Sequence, residues 1–283
     1  MSEPTREKAA KERYPEHFKI SKMVINRLVK WLHRTDIPAP QTALGIVKLA
    51  SVIRAFNLYK STNILLENDH WENASILARS MFELLLNLEE VVRDEQDAEE
   101  KAKRFLRHQD LSKLMHYLND KRYEIKTGRA PKEEEIKIAE TEKNARLIFG
   151  EFIDKRKDLK WSSSWCGKSV RRLAKDSGKP IRLAQYELLY SYLSEFSHSN
   201  PLATMTTMDL GETSEETERL FQNKEEVEKT SMTRVLALTI TWLLEILLIG
   251  RTEIPLYDIK WNFDILKRLY KLYGVEPPKL PYF

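Results

Sequence analysis

The chain has 283 residues, with 37 Leu against 10 Val and only 8 Gly. Leu favours helices and β-branched Val favours strands, so a β-sandwich, a TIM barrel and a Rossmann domain, all dependent on Gly-rich turns, fit poorly. The 47 basic and 43 acidic residues leave a net charge of +4, which does not by itself indicate nucleic acid, and the single cysteine, Cys166, excludes an intrachain disulfide framework or a cysteine-based zinc site.

Helical periodicity then accounts for most of the chain. The opening MSEPTREKAAKERYPEH has no apolar run for a signal peptide, so a cytoplasmic protein is expected. A helix at about 17–34 is closed by the linker 36–40, and a long helix follows over 41–66. Asn68-Asp69 offers a break before a helix at 70–93, which contains ASILARSMFELLLNLEEVV. Helices are expected at 97–124 and 132–157, separated by Gly128 and Pro131, the second so charged that it projects or packs on one face only.

Residues 160–180 read KWSSSWCGKSVRRLAKDSGKP, a Ser/Gly loop and a short basic helix stopping at Gly178 and Pro180. A helix at 182–198 ends before Asn200-Pro201, and 204–210 alternates weakly as a short strand or extended loop. The acidic polar stretch 211–228 leads into VLALTITWLLEILLI at 235–249. That run is shorter than the roughly twenty apolar residues a membrane span needs, and Glu245 interrupts it, so it reads as a helix of the core and no membrane partner is expected. A last helix at 258–273 precedes a proline-rich tail. The expected architecture is an all-α bundle of about eight helices. Residues 1–40 form a charged N-terminal segment and helix, 41–275 a single helical domain with a charged excursion at 95–160, and 276–283 a tail.

Two helices carry the residues that point to chemistry. In the helix at 70–93, Leu77, Met81, Leu84, Leu88 and Val91 form one apolar face, with Phe82 and Leu86 on the other side, which makes it central. Arg79 and Glu83 stand four apart on one side of it. They serve either as a neutralised buried pair or as the lining of a polar cleft, with Arg79 binding an anion and Glu83 orienting it or acting as a base. In the helix ending at His198, Leu189, Leu193 and Phe196 define the buried side, and Glu187, Ser191, Ser194 and His198 the other. With Tyr190 this is either a solvated stripe or a small acid–base site at a helix end. The basic segment Lys168, Arg171, Arg172, Lys175, Lys179 and Arg182, with Trp161 and Trp165 just upstream, suits phosphate neutralisation and base stacking. The alternative is a solvated helix whose tryptophans fill the core.

Three short motifs complete the survey. Arg27 to His33 has the Arg-to-His spacing of HEPN-type helical ribonucleases, with Leu28 where that motif carries a polar residue. Glu-x-x-His occurs at Glu67–His70 and Glu195–His198, and with Glu83 and Glu245 it sketches a di-iron carboxylate set, although Asn68-Asp69 breaks the helix between the first pair. Cys166-Gly167-Lys168-Ser169 ends like a phosphate loop, but Ser162 stands where that loop needs glycine. No metal and no cofactor is expected.

ALARSMFELLLNLE-type sequence around Arg79, followed downstream by WCGKSVRRLAKDSG and YELLYSYLSEFSHSNP, resembles a bacterial helical family catalogued as domain of unknown function 5677, over roughly 50–249. Its pattern of Arg-x-x-x-Glu in one helix, with a Tyr/Ser-rich helix ending in His, falls here on Arg79, Glu83, Tyr190, Ser194 and His198. The resemblance implies a helical cytoplasmic protein and groups Arg79, Glu83 and His198 as one constellation. The looser likeness to HEPN-type proteins adds the expectation of an RNA-directed, metal-independent nuclease in a toxin or antiphage setting. Lys168, Arg171, Arg172 and Lys175 would then bind RNA or another phosphate-bearing ligand. The competing expectation is a non-enzymatic helical module that binds a protein partner or a second copy.

Overall fold

Thr42 starts the central hairpin of the fold. Its Oγ1 accepts from the Gly45 amide at 3.0 Å and caps the long helix Ala43–Glu67. That helix (α3) stops where Asp69 takes a left-handed backbone conformation, φ 63°, which lets the His70 amide donate back to the Leu65 carbonyl at 2.9 Å. The chain reverses directly into α4, Trp71–Val92. The Asp69 carboxylate accepts from Arg13 and, at 3.2 Å, from the Ala10 amide, tying the N-terminal helices to this turn.

The computed structural model describes residues 10–33, 37–154, 160–197, 214–254 and 258–274, with side chains for all but 190–197 and 214–228. Among these residues there are ten α-helices. Before α3 come α1, Ala10–Arg13, and α2, Pro15–Leu32. After α4 come α5, Ala98–Lys126, α6, Glu134–Ile148, α7, Val170–Asp176, and α8, Pro180–Ser197. The last two are α9, Ser214–Ile249, and α10, Ile259–Leu272. The chain is an all-α bundle whose one sheet among the described residues is a two-residue antiparallel pairing, Ile153 with Trp161 and Asp154 with Lys160.

The core sits between α3, α4 and α9. Met81, Phe82, Leu85 and Leu88 of α4 meet Ile240, Trp242, Leu243 and Leu247 of α9, and the Phe82 and Trp242 rings pack 5.1 Å apart. α2, from the segment set apart as N-terminal, adds Val24, Leu28 and Trp31 to the same core. α5 joins it through Ala102, Phe105 and Leu106. Beyond that point α5 and α6 bury Leu111, Leu118, Ile138 and Ala145 outside the central cluster, as a charged hairpin. By length and composition 229–249 passes as a membrane-crossing helix, yet it packs on α3 and α4 in this core.

Three local expectations change. The stretch 214–228 is not a polar connection but the first half of α9, because its Glu, Lys, Arg, Gln and Leu residues are strong helix formers. The helix expected to reach 157 ends at Ile148; Gly150 follows, and the chain turns into the short sheet. Pro180 does not stop a helix but opens α8, where its missing N–H costs nothing. The strand expected at 204–210 lies outside the described residues.

Candidate functional site

Arg79 and Glu83 lie on the side of α4 away from its buried residues. Arg79 Nε donates to Glu83 Oε1 at 3.1 Å, and the two side chains are 28% and 36% exposed. The pair therefore belongs to the surface and is not sealed in a dry core. One turn on, Asn87 Nδ2 donates to the Glu83 carbonyl at 2.7 Å, and Asn87 Oδ1 accepts from Trp165 Nε1 at 2.7 Å. Trp165 is buried against Phe105, so its ring serves the core. Trp161 is half-buried, with the Arg146 guanidinium 5.4 Å from its ring centroid.

Further along α4 lies a constellation that sequence reading did not assemble. Glu89 and Glu90 are buried within the apolar run, and α8 brings a fully buried arginine, Arg182, against Glu89. Arg182 Nε lies 3.1 Å from Glu89 Oε2, and Nη2 lies 2.6 Å from Oε1. Its Nη1 donates to Gln185 Oε1 at 2.9 Å, and Nη2 also reaches Glu245 of α9. Lys179 Nζ completes the group 2.9 Å from Glu89 Oε1. Two carboxylates face two cations, so the cluster is neutral and its charges are paired as burial requires.

Its two carboxylates are pushed in opposite directions. Burial works to raise Glu89, but the hydrogen bonds and charge of Arg182, with Lys179, outweigh it and hold the carboxyl below its usual range. Glu245 is raised, because burial there outweighs the attraction of Arg182 and Lys179 and Glu89 adds repulsion. The sequence signal was available in part: Glu89-Glu90 and Glu245 each interrupt apolar helical runs, and such carboxylates need a partner.

The basic segment supplies those partners. Lys168 Nζ is 2.8 Å from Glu90 and 3.4 Å from Asp176, and Arg172 Nε is 2.8 Å from Asp176. The Arg172 hydrogen bond is the main cause holding Asp176 below the usual carboxylate range. Arg171 and Lys175 are exposed and make no ion pair among the described residues.

Of the other candidates, Tyr190 and Ser194 belong to α8 but their side chains fall outside the described set, and His198 lies outside the described residues. Whether His198 reaches Arg79 and Glu83 is therefore untouched by this geometry. Glu67 ends α3 and His70 precedes α4, across the left-handed Asp69, so that Glu-x-x-His spacing is not on one helix. Glu67 instead accepts from Asn63 at 2.7 Å. Arg27 lies 3.8 Å from Asp258 and over the Trp261 ring, a contact between α2 and the start of α10.

These features define an all-α bundle whose central helices are joined by a buried ionic cluster, with a half-exposed Arg–Glu pair on the same helix. The chain belongs to the family of unknown function DUF5677, whose profile matches residues 46–217. That span runs from α3 into the start of α9 and includes Arg79, Glu83 and the whole basic segment, but ends before Glu245. No curated protein and no solved structure matches the chain.

Proposed function

We propose that this protein is an RNA-directed, nuclease-like effector of a defence or toxin-type system, working by metal-independent acid–base chemistry in the cytoplasm. Arg79 contacts and neutralises the phosphate, Glu83 orients its guanidinium, and His198 moves the proton, with Tyr190 and Ser194 lining the site. The observation that carries this reading is the placement of Arg79 and Glu83. The structural task of neutralising buried charge is already filled by Glu89, Arg182 and Glu245, which leaves a half-exposed Arg–Glu pair in the same family-matched span as His198.

A second reading, a non-enzymatic helical module, is favoured by the basic segment. Lys168, Arg172, Lys179 and Arg182 are committed to internal carboxylates, so Arg171 and Lys175 are left as its outward electrostatic contribution to RNA. Incubation of the purified protein with labelled RNA, with and without EDTA, separates the two. Cleavage indifferent to EDTA and lost in both His198→Ala and Arg79→Ala is the expected result. Absence of cleavage of single-stranded and structured RNA supports the module, and EDTA-sensitive cleavage returns the metal-carboxylate reading.

A further inference from the structure

α3 is apolar around its circumference, as expected of a helix buried on all sides, yet one strip of it faces water. Ile46, Ala50, Ile53, Asn57, Lys60 and Ile64 are all exposed, the three isoleucines at 44%, 42% and 51%. Their spacing alternates four, three, four, three, four, which at 100° per residue keeps all six within a strip about 80° wide. This is the repeat of a helix that packs along a partner helix, and it runs nearly the full length of α3.

We infer that this strip is the contact through which two copies of the chain pair, α3 against α3 in antiparallel orientation. A two-fold interface brings the same patch of both copies together, so the patch must complement itself. Antiparallel pairing about a point beside Ala55 sets Ile46 against the partner's Ile64, Ile53 against the partner's Asn57, and Ala50 against the partner's Lys60. The small alanine leaves room for the lysine stem, whose ammonium reaches the rim. A parallel pairing sets Lys60 against its own copy in the seam and is disfavoured by like charge. Arg54 lies at the edge of the strip, where a charge stays solvated.

Standard interfaces bury roughly 800 Å² per partner, more than three half-exposed isoleucines supply at a single crossing. The helices therefore run side by side at the shallow angle of coiled-coil packing, along the length of α3, about 37 Å for its 25 residues at 1.5 Å each.

Light scattering coupled to size exclusion on the full chain at micromolar concentration tests this. The expected mass is twice 33.4 kDa. Ile53→Glu is expected to give the single-chain mass with an unchanged helical circular dichroism spectrum, as is the milder pair Ile46→Ser with Ile64→Ser. Ile136→Glu, on the α6 hairpin, is expected to leave the dimer intact. A monomeric wild-type chain, or a dimer that survives both α3 variants, overturns the inference.

Discussion

Arg182 of α8 clasps Glu89 of α4 through two nitrogens, Nε at 3.1 Å and Nη2 at 2.6 Å, with the arginine wholly buried. The same Nη2 reaches Glu245 on α9. One side chain thus joins three helices that apolar contact alone would leave free to slide by a turn. Among the described α8 side chains, Leu189 is fully buried in the core and Tyr186 packs against it, so the guanidinium holds α8 in register with the hub.

Removing only the cation leaves two carboxylates in the interior without their main partner. Arg182→Met is expected to cost about 3–5 kcal/mol, the range for breaking a buried ion pair from one side. Replacing Glu89, Arg182 and Glu245 together by Leu, Met and Leu is expected to cost much less, because Lys179 is half-exposed and can hydrate. Urea titration of both variants beside the wild type checks the contrast.

The cluster also predicts two opposite pH dependences. Glu89 is held below its ordinary value of 4.5, so its contribution is present above that pH and is lost as pH falls through the depressed folded value. Glu245 is raised above 4.5, so keeping its proton favours the fold, and that advantage shrinks as pH climbs from 4.5 through the raised folded value. Relative to wild type, Glu89→Gln is therefore expected to become more destabilising between acid and neutral pH, and Glu245→Gln less so. Urea midpoints measured across that interval give the two signs.

Gly250 follows α9 where it crosses α3. A Cβ there would stand 2.6 Å from Val52 Cγ2, too close without a shift of the packed valine. Gly250→Ala is expected to destabilise by about 1–3 kcal/mol, the usual cost of overpacking. Val52→Ala in the same chain should recover part of that loss, because it removes the clashing methyl. A double-mutant cycle by thermal unfolding reads the coupling.

Glu99 of α5 accepts from the first two amides of α3, Ala43 and Leu44, both at 3.0 Å. The Leu44 amide is the main cause that holds its carboxyl below the usual range. Glu99→Ala is expected to cost about 0.5–1 kcal/mol, a typical value for a solvent-facing helix-end contact. Hydrogen exchange should show the loss first in the opening turn of α3, with the α4 and α9 amides unchanged.

The elements and their order were legible because helix signals are local. Thr42 caps α3 three residues from its acceptor partner, Asn68-Asp69 breaks the chain where the two polar residues stand, and apolar residues at helical spacing mark α4 as central. The second half of α9 was equally plain. Its first half was not, because a polar helix carries no apolar periodicity and only propensity speaks for it.

Charge partnership was a different matter. Sequence by itself determined the helical class, most boundaries and the presence of carboxylates inside apolar runs that need cations. Only the tertiary structure decided which cations those are: Arg182 meets Glu89 across 93 residues of chain and Glu245 across 63. It also placed Arg79 and Glu83 at the surface and turned most of the basic segment inward. Periodicity and capping act over a few residues, whereas a Coulomb pair is set by distance in space, and that distance is fixed only once α4, α8 and α9 have packed.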